Sequence, residues 1–138
     1  MAGAHLVLES RARAVVDYAL ARRVTLSNLA TGRVSSREVC DAQAYLIRAA
    51  RYHGHVGDET CPVCGRAGLA QVTYTYGDCF RGDANGRARH TRELLALADE
   101  VAEFTAYLVE VCPDCRWNHL LASYVLGTGE PVERRARS

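Results

Sequence analysis

Lysine is missing from this chain: all seventeen basic residues among its 138 are arginine. That absence reads mainly as the codon bias of a GC-rich genome, with a planar-fork binding role for guanidinium as the other reading. Long apolar runs are missing too. The longest early stretch, Ala4-His5-Leu6-Val7-Leu8, meets Glu9 and Arg11 at once. It is too short for a secretory signal and far too short to cross a bilayer, so a cytoplasmic protein with no membrane partner is expected. A dominant charge is the third absence. Seventeen basic against sixteen acidic residues leave +1 at pH 7, and no global field draws the chain to nucleic acid or membrane. Any nucleic-acid contact needs a local patch.

What is present fits one globular domain: 49% hydrophobic and 24% charged residues, in a chain long enough for one modest core. Six cysteines stand out. In a reducing compartment thiols stay free, so paired cysteines point to metal or redox chemistry.

The front half, residues 1–55, reads as helical. Residues 10–23 suit a helix with Val16, Leu20 and Val24 on one stripe beside Ala12 and Ala19. Leu26 and Leu29 add a turn ending at Gly32. Ser35 and Glu38 form a capping box, and the spacing predicts a second helix over 36–52 that buries Val39, Ala42, Leu46 and Ala50 and stops at Gly54. Two helices so joined make a hairpin that needs a partner surface.

The back half, 56–127, changes period. Val72, Tyr74 and Tyr76 alternate with Thr73 and Thr75, residues 105–111 are rich in β-formers, and 120–126 alternate again. Three antiparallel strands are expected. An insertion over 81–103 separates the first two, with a Gly-rich loop and a helix capped by Thr91 that turns Leu94, Leu97, Ala98 and Val101 inward. Residues 128–138 read as a loose basic tail.

Cys61-Pro62-Val63-Cys64 and Cys112-Pro113-Asp114-Cys115 carry the most specific pattern. Two intervening residues let both thiolates of a pair meet one ion, and two pairs supply the closed tetrahedral set of a structural Zn²⁺ site. Each pair precedes a predicted strand, as in a zinc ribbon. Forty-seven residues separate Cys64 from Cys112, against about fifteen to twenty in a minimal site, and the insertion accounts for most of the excess. Three rivals stand beside zinc. A redox dithiol normally opens a helix, which neither pair does; a disulfide framework conflicts with the missing signal; another metal also fits four thiols. Cys40 reads as a small buried hydrophobe on the second helix, and Cys79 as a partnerless thiol after a turn. His119 is a lesser ligand candidate, and His53 and His55 are placed under the first knuckle. Four thiolates leave no open position for metal catalysis, and no nucleophile triad, paired-carboxylate site or phosphate loop is evident. A small-molecule substrate is not expected.

For a partner surface, Arg81, Arg87, Arg89 and Arg92 cluster within the insertion, and Tyr76 and Trp117 can stack bases beside them. Weak binding of single-stranded nucleic acid is one reading. The other is ordinary: tyrosines in a small core and arginines solvating a loop. A helix-turn-helix reading of the front half is disfavoured by Glu38 and Asp41 at the groove-facing start of its second helix.

Val16-Asp17-Tyr18-Ala19-Leu20, Glu38-Val39-Cys40-Asp41, Tyr45-Leu46-Ile47-Arg48-Ala49-Ala50, Thr60-Cys61-Pro62-Val63-Cys64, Tyr76-Gly77-Asp78, Val109-Glu110-Val111-Cys112 and Trp117-Asn118-His119-Leu120 come in an order that resembles a family of small actinobacterial proteins known as a domain of unknown function. The resemblance spans residues 16–127. It implies a cytoplasmic, zinc-ribbon-like protein and transfers no activity. The expectation is thus an α+β fold, a helical hairpin packed on a three-stranded zinc ribbon with a helical insertion. The function expected is a non-enzymatic adaptor or regulator in a protein complex, docking on the transcription or translation machinery. The alternative is a redox- or zinc-responsive thiol protein, which Cys40 and Cys79 would serve.

Overall fold

The computed structural model describes the backbone of residues 2–66 and 68–130, and side chains within 7–130 except those of 67 and 83. Its centre is an antiparallel sheet. In chain order the elements are α1 (Ala2–Arg11), β1 (Ala14–Asp17), α2 (Ala19–Ala30), α3 (Ser36–Val39), α4 (Ala44–His53), β2 (His55–Thr60), β3 (Gly68–Tyr76), β4 (Arg87–Arg89), α5 (Thr91–Glu100), β5 (Phe104–Val111) and β6 (Asn118–Leu126). The strands are ordered β1-β6-β5-β3-β2, and β4 also pairs with β3.

The three expected strands are present as β3, β5 and β6, and three more extend them. Along one edge of β3, β2 pairs with its first half and β4 with its second, His55 facing Gln71 and Arg89 facing Thr73. At the far side β1 pairs with β6, Ala14 against Val125. A strand from the first fifty-five residues therefore completes the sheet of the later ones.

Period-two alternation sorts side chains to the two faces. Phe104, Ala106 and Leu108 of β5 join Ala122, Tyr124 and Leu126 of β6 beneath Leu8 of α1 and Leu94 and Ala98 of α5. Val72 and Tyr74 of β3 meet Ala49 and Ala50 of α4 on the opposite face. Both faces are covered, which is why β3 is buried nearly throughout.

The helical hairpin is corrected. Residues 14–17 form β1, so the stripe expected on Val16, Leu20 and Val24 never assembles, and all three are exposed. The second helix starts at Ser36, where Ser35 N–H donates to Glu38 Oε2 at 2.6 Å, but it ends after Val39 and resumes at Ala44. α2 packs on β6 and α4 on β3. Gly54 does stop α4, because a Cβ there would collide with the Ala50 carbonyl. The insertion is largely as expected, with Leu94 and Ala98 buried on α5, although His90 rather than Thr91 is the cap. Of the basic tail, Thr128 and Gly129 donate to the Val101 and Ala102 carbonyls at 2.8 and 2.9 Å, and residues 131–138 lie outside the described residues. Among the described residues no helix is long and apolar enough to cross a membrane.

Tyr124 is fully buried in this core. Burial, then the charges of Glu9 and Asp17, pushes its phenol up to about 12. A folded-state value above the unfolded one favours the neutral phenol, so its contribution is complete below pH 10 and is lost as pH climbs towards 12. Urea melts across that window are expected to show the wild type losing stability more steeply than Tyr124→Phe. Equal slopes would refute the assignment.

Candidate metal centre

Two of the strand connections carry the cysteine pairs. Cys61–Cys64 lies between β2 and β3, and Cys112–Cys115 between β5 and β6. β3 and β5 are antiparallel neighbours with Ala70 opposite Val111, so the start of one strand lies beside the end of the other. Both turns therefore emerge at the same end of the sheet. The four Sγ atoms all lie within 4.8 Å of one another, with Cys61–Cys115 at 3.6 Å and Cys64–Cys112 at 3.7 Å.

The two turns share a local design. Gly65 N–H donates to the Cys61 carbonyl at 2.9 Å and Arg116 N–H to the Cys112 carbonyl at 3.0 Å. Both residues have left-handed backbones, φ +67° and +73°. That folding-over turns amides onto sulfur: Val63 and Cys64 donate to Cys61 Sγ at 3.3 and 3.5 Å, Arg66 to Cys64 Sγ at 3.5 Å and Cys115 to Cys112 Sγ at 3.5 Å. Amides aimed at sulfur stabilise thiolate.

Burial acts the other way. Cys61 and Cys112 are buried against Leu69 and Trp117, with Leu26 and Val39 packed alongside. It pushes the Cys112 and Cys115 thiols up to about 12. Four sulfurs with inward-turned amides, in a setting that opposes free thiolate, could hold a soft cation, which would supply the missing positive charge. The four cysteines expected from spacing are thus brought together.

A fifth thiol joins them. Cys40 follows α3, and its thiol donates to Cys115 Sγ at 3.7 Å. The segment is clamped to the second turn: Ala42 N–H donates to the Arg116 carbonyl, Arg116 Nη1 to the Ala42 carbonyl, both at 3.1 Å, and Asn118 Nδ2 to Asp41 Oδ1 at 2.8 Å. The reading of Cys40 as a core hydrophobe on a long helix is corrected, since this capture interrupts the helix. Periodicity has no means of showing it.

Beneath the centre lies a second feature that the sequence did not reveal. Glu110 on β5 is 3% exposed. Its Oε2 accepts from Trp117 Nε1 at 2.8 Å and Arg22 Nε of α2 at 2.7 Å. Trp117 is therefore corrected: it is 0% exposed, and no face is open for a base. His119 stacks on it, centroids 5.8 Å apart, with Nδ1 at the Leu120 carbonyl and Nε2 facing Thr25 Oγ1. It stands outside the cysteine group.

The remaining predicted residues disperse. Cys79 is exposed and donates to the Glu103 carbonyl. Arg89 is held inside, with Nε on Thr75 Oγ1 at 2.8 Å and its guanidinium 5.0 Å over the Phe80 ring. Arg81, Arg87 and Arg92 are exposed. Tyr76 packs edge-on against Tyr107 and close to Gly86, and is about half exposed. Arg87 borders a groove of about 380 Å³ with Tyr45, Arg48 and Tyr52 of α4. Arg92 borders an adjoining cleft of about 640 Å³ with His53, His55 and His90. His53 and His55 thus sit away from the first knuckle, at the opposite end of β2.

Comparison with known proteins agrees with the resemblance drawn from the motifs. Residues 9–138 match the model of a family of unknown function, DUF5318, and the chain belongs to that family. The uncharacterized protein Rv0049 of Mycobacterium tuberculosis and the uncharacterized protein Mb0050 of Mycobacterium bovis are each 44% identical over 117 residues, which is 85% of this chain and 85% of each relative. No solved structure matches the chain.

Glu110→Ala would strand the Arg22 guanidinium and the Trp117 N–H. A loss of about 3–5 kcal/mol in chemical denaturation is expected. Glu110→Gln retains an acceptor and is expected to cost clearly less. Equal costs would mean that packing, not the buried pairing, holds α2 to the sheet.

Proposed function

We propose that this member of a family of unknown function is a non-enzymatic zinc-ribbon protein. One observation carries the reading: four thiols converge at the common end of two adjacent hairpins. Zn–S bonds of about 2.3 Å in a tetrahedron put sulfurs about 3.8 Å apart. The 3.6 and 3.7 Å pairs are close to that edge length. Four protein ligands close the coordination sphere, so the ion is structural and the chain needs no reaction to account for it.

The role we assign is that of a cytoplasmic adaptor or regulator docking on the transcription or translation machinery. The step from ribbon to machinery is an analogy of fold. Local chemistry supports it: Arg48 and Arg87 flank Tyr45 and Tyr52 in one groove, a pairing of guanidinium and aromatic faces that suits single-stranded RNA or DNA. This relocates the expected surface. Arg87 lines the groove and Arg92 the adjoining cleft, while Arg89 and Trp117 support the fold.

Elemental analysis of protein purified under reducing conditions is expected to show one zinc per chain. Cys112→Ser should lose most of it and melt lower, since metal binding contributes directly to folding. Iron in place of zinc, or unchanged zinc and melting in the variant, would overturn the assignment.

A labelled single-stranded oligonucleotide should bind at low salt and dissociate as salt rises. Replacing Arg48, Arg87 and Arg92 with Ala should reduce the log–log salt slope by about 0.7 per lost phosphate contact, at unchanged zinc content. Absence of salt-sensitive binding in the wild type would make the groove a protein-docking surface.

A further inference from the structure

The centre holds one thiol more than a tetrahedral ion uses. Cys61, Cys64, Cys112 and Cys115 form the mutually close group, and Cys40 lies outside it, its sulfur 3.7 Å from that of Cys115. Its position is specified by the structure around it. Cys40 N–H is bonded to the Ser36 carbonyl at 2.8 Å, and the next two residues are bonded to Arg116 and Asn118, which flank the second turn. Cys40 thus reaches the centre from a different chain segment, at the one ligand that its segment is clamped beside. It is partly exposed, as are Cys64 and Cys115, whereas Cys61 and Cys112 are buried. Solvent therefore reaches both Cys40 and Cys115.

We infer that the Cys40–Cys115 pair is an oxidation site through which a peroxide discharges the metal. This rests on the metal-centre reading above and concerns the regulation of that site. The bound ion would keep Cys115 as thiolate, the form that attacks a peroxide oxygen. The O–O bond breaks, Cys115 becomes a sulfenic acid and water leaves. Cys40 sulfur then attacks the Cys115 sulfur, the S–O bond breaks and the oxygen leaves as a second water. One thiol, one thiolate, one hydrogen peroxide and one proton give one disulfide and two waters. Two electrons pass from the sulfurs to the peroxide. Cys115 is then no longer a ligand, and three thiolates hold the ion far less tightly.

Cys40 makes this different from oxidation of an ordinary tetrathiolate. It is the neighbour of Cys115 that does not itself have to leave the ion before reacting. The product joins residue 40 to the second turn and so covalently fixes a clamp that the reduced protein makes with hydrogen bonds. The outcome is loss of metal with retention of the contact between the N-terminal segment and the β5–β6 hairpin. Cys79, exposed and hydrogen-bonded to Glu103 elsewhere, provides an internal control.

The test uses the full zinc-loaded chain, treated with hydrogen peroxide under anaerobic conditions. Zinc release is followed with a chromogenic chelator, and disulfides are mapped by mass spectrometry after alkylation. Wild type should release zinc as a Cys40–Cys115 linkage appears. Cys40→Ala, and Cys40→Ser as a second variant should the first fold poorly, should hold zinc when reduced and release it about tenfold more slowly. Cys79→Ala should follow the wild type. Wild-type release accompanied by a Cys61–Cys64 or Cys112–Cys115 bridge, with Cys40 still alkylated, overturns the inference, as does an unchanged rate in both Cys40 variants. A wild-type chain that purifies without metal defeats the ribbon reading instead. In that chain the mapping alone still decides whether Cys40 and Cys115 pair.

Discussion

The constraint on which the rest depends is the gathering of four half-buried or buried thiols at one end of the sheet. Thiols brought together away from water resist ionising, and Cys112 and Cys115 show it by their shift up to about 12. Backbone amides from both turns supply part of the compensation. A bound cation would supply more, because it would act on all four sulfurs at once. The antiparallel pairing of β3 with β5 is what makes this geometry available, since it puts two turns distant in sequence side by side.

Around that end polar side chains tie distant segments to the second turn. Glu110 joins α2 to β5 through Arg22 and to the second turn through Trp117. Arg116 and Asn118 join the segment between α3 and α4 to the same turn. A buried carboxylate with two donors is satisfied while both remain, and becomes a liability when either is removed. The opposite end of the sheet is held differently, by α5 packing on Phe104, Leu108 and Leu126.

How far the sequence discloses this depends on what kind of pattern each part leaves. β3, β5, β6 and α5 were legible because each keeps one period with its apolar residues aligned. The clustering of the four cysteines was legible because two C-x-x-C units encode local geometry. Residues 14–17 were not, since Val16, Leu20 and Val24 satisfy a helical spacing while all three face solvent. The break at residue 40 was also hidden. Ser35 and Glu38 start the helix as read, and no Gly or Pro ends it; it is ended by long-range bonds to Arg116 and Asn118. Arg89 and Trp117 were read as surface groups, because their partners Thr75, Phe80 and Glu110 become neighbours only through strand register.

The left-handed residues at the two turns carry a consequence for how this chain tolerates change. Gly65 adopts that conformation freely, whereas Arg116, at the equivalent place, bears roughly 1–2 kcal/mol of backbone strain. A designer seeking a more rigid protein would place glycine at 116 as well. The relief would come at the expense of the guanidinium that reaches the Ala42 carbonyl, and the backbone contact beside it would be left to hold the segment alone. Symmetrising the turns would thus trade local comfort for a looser link between distant parts of the chain. The asymmetry divides the labour: the first turn only grips, while the second grips and reports to the N-terminal half.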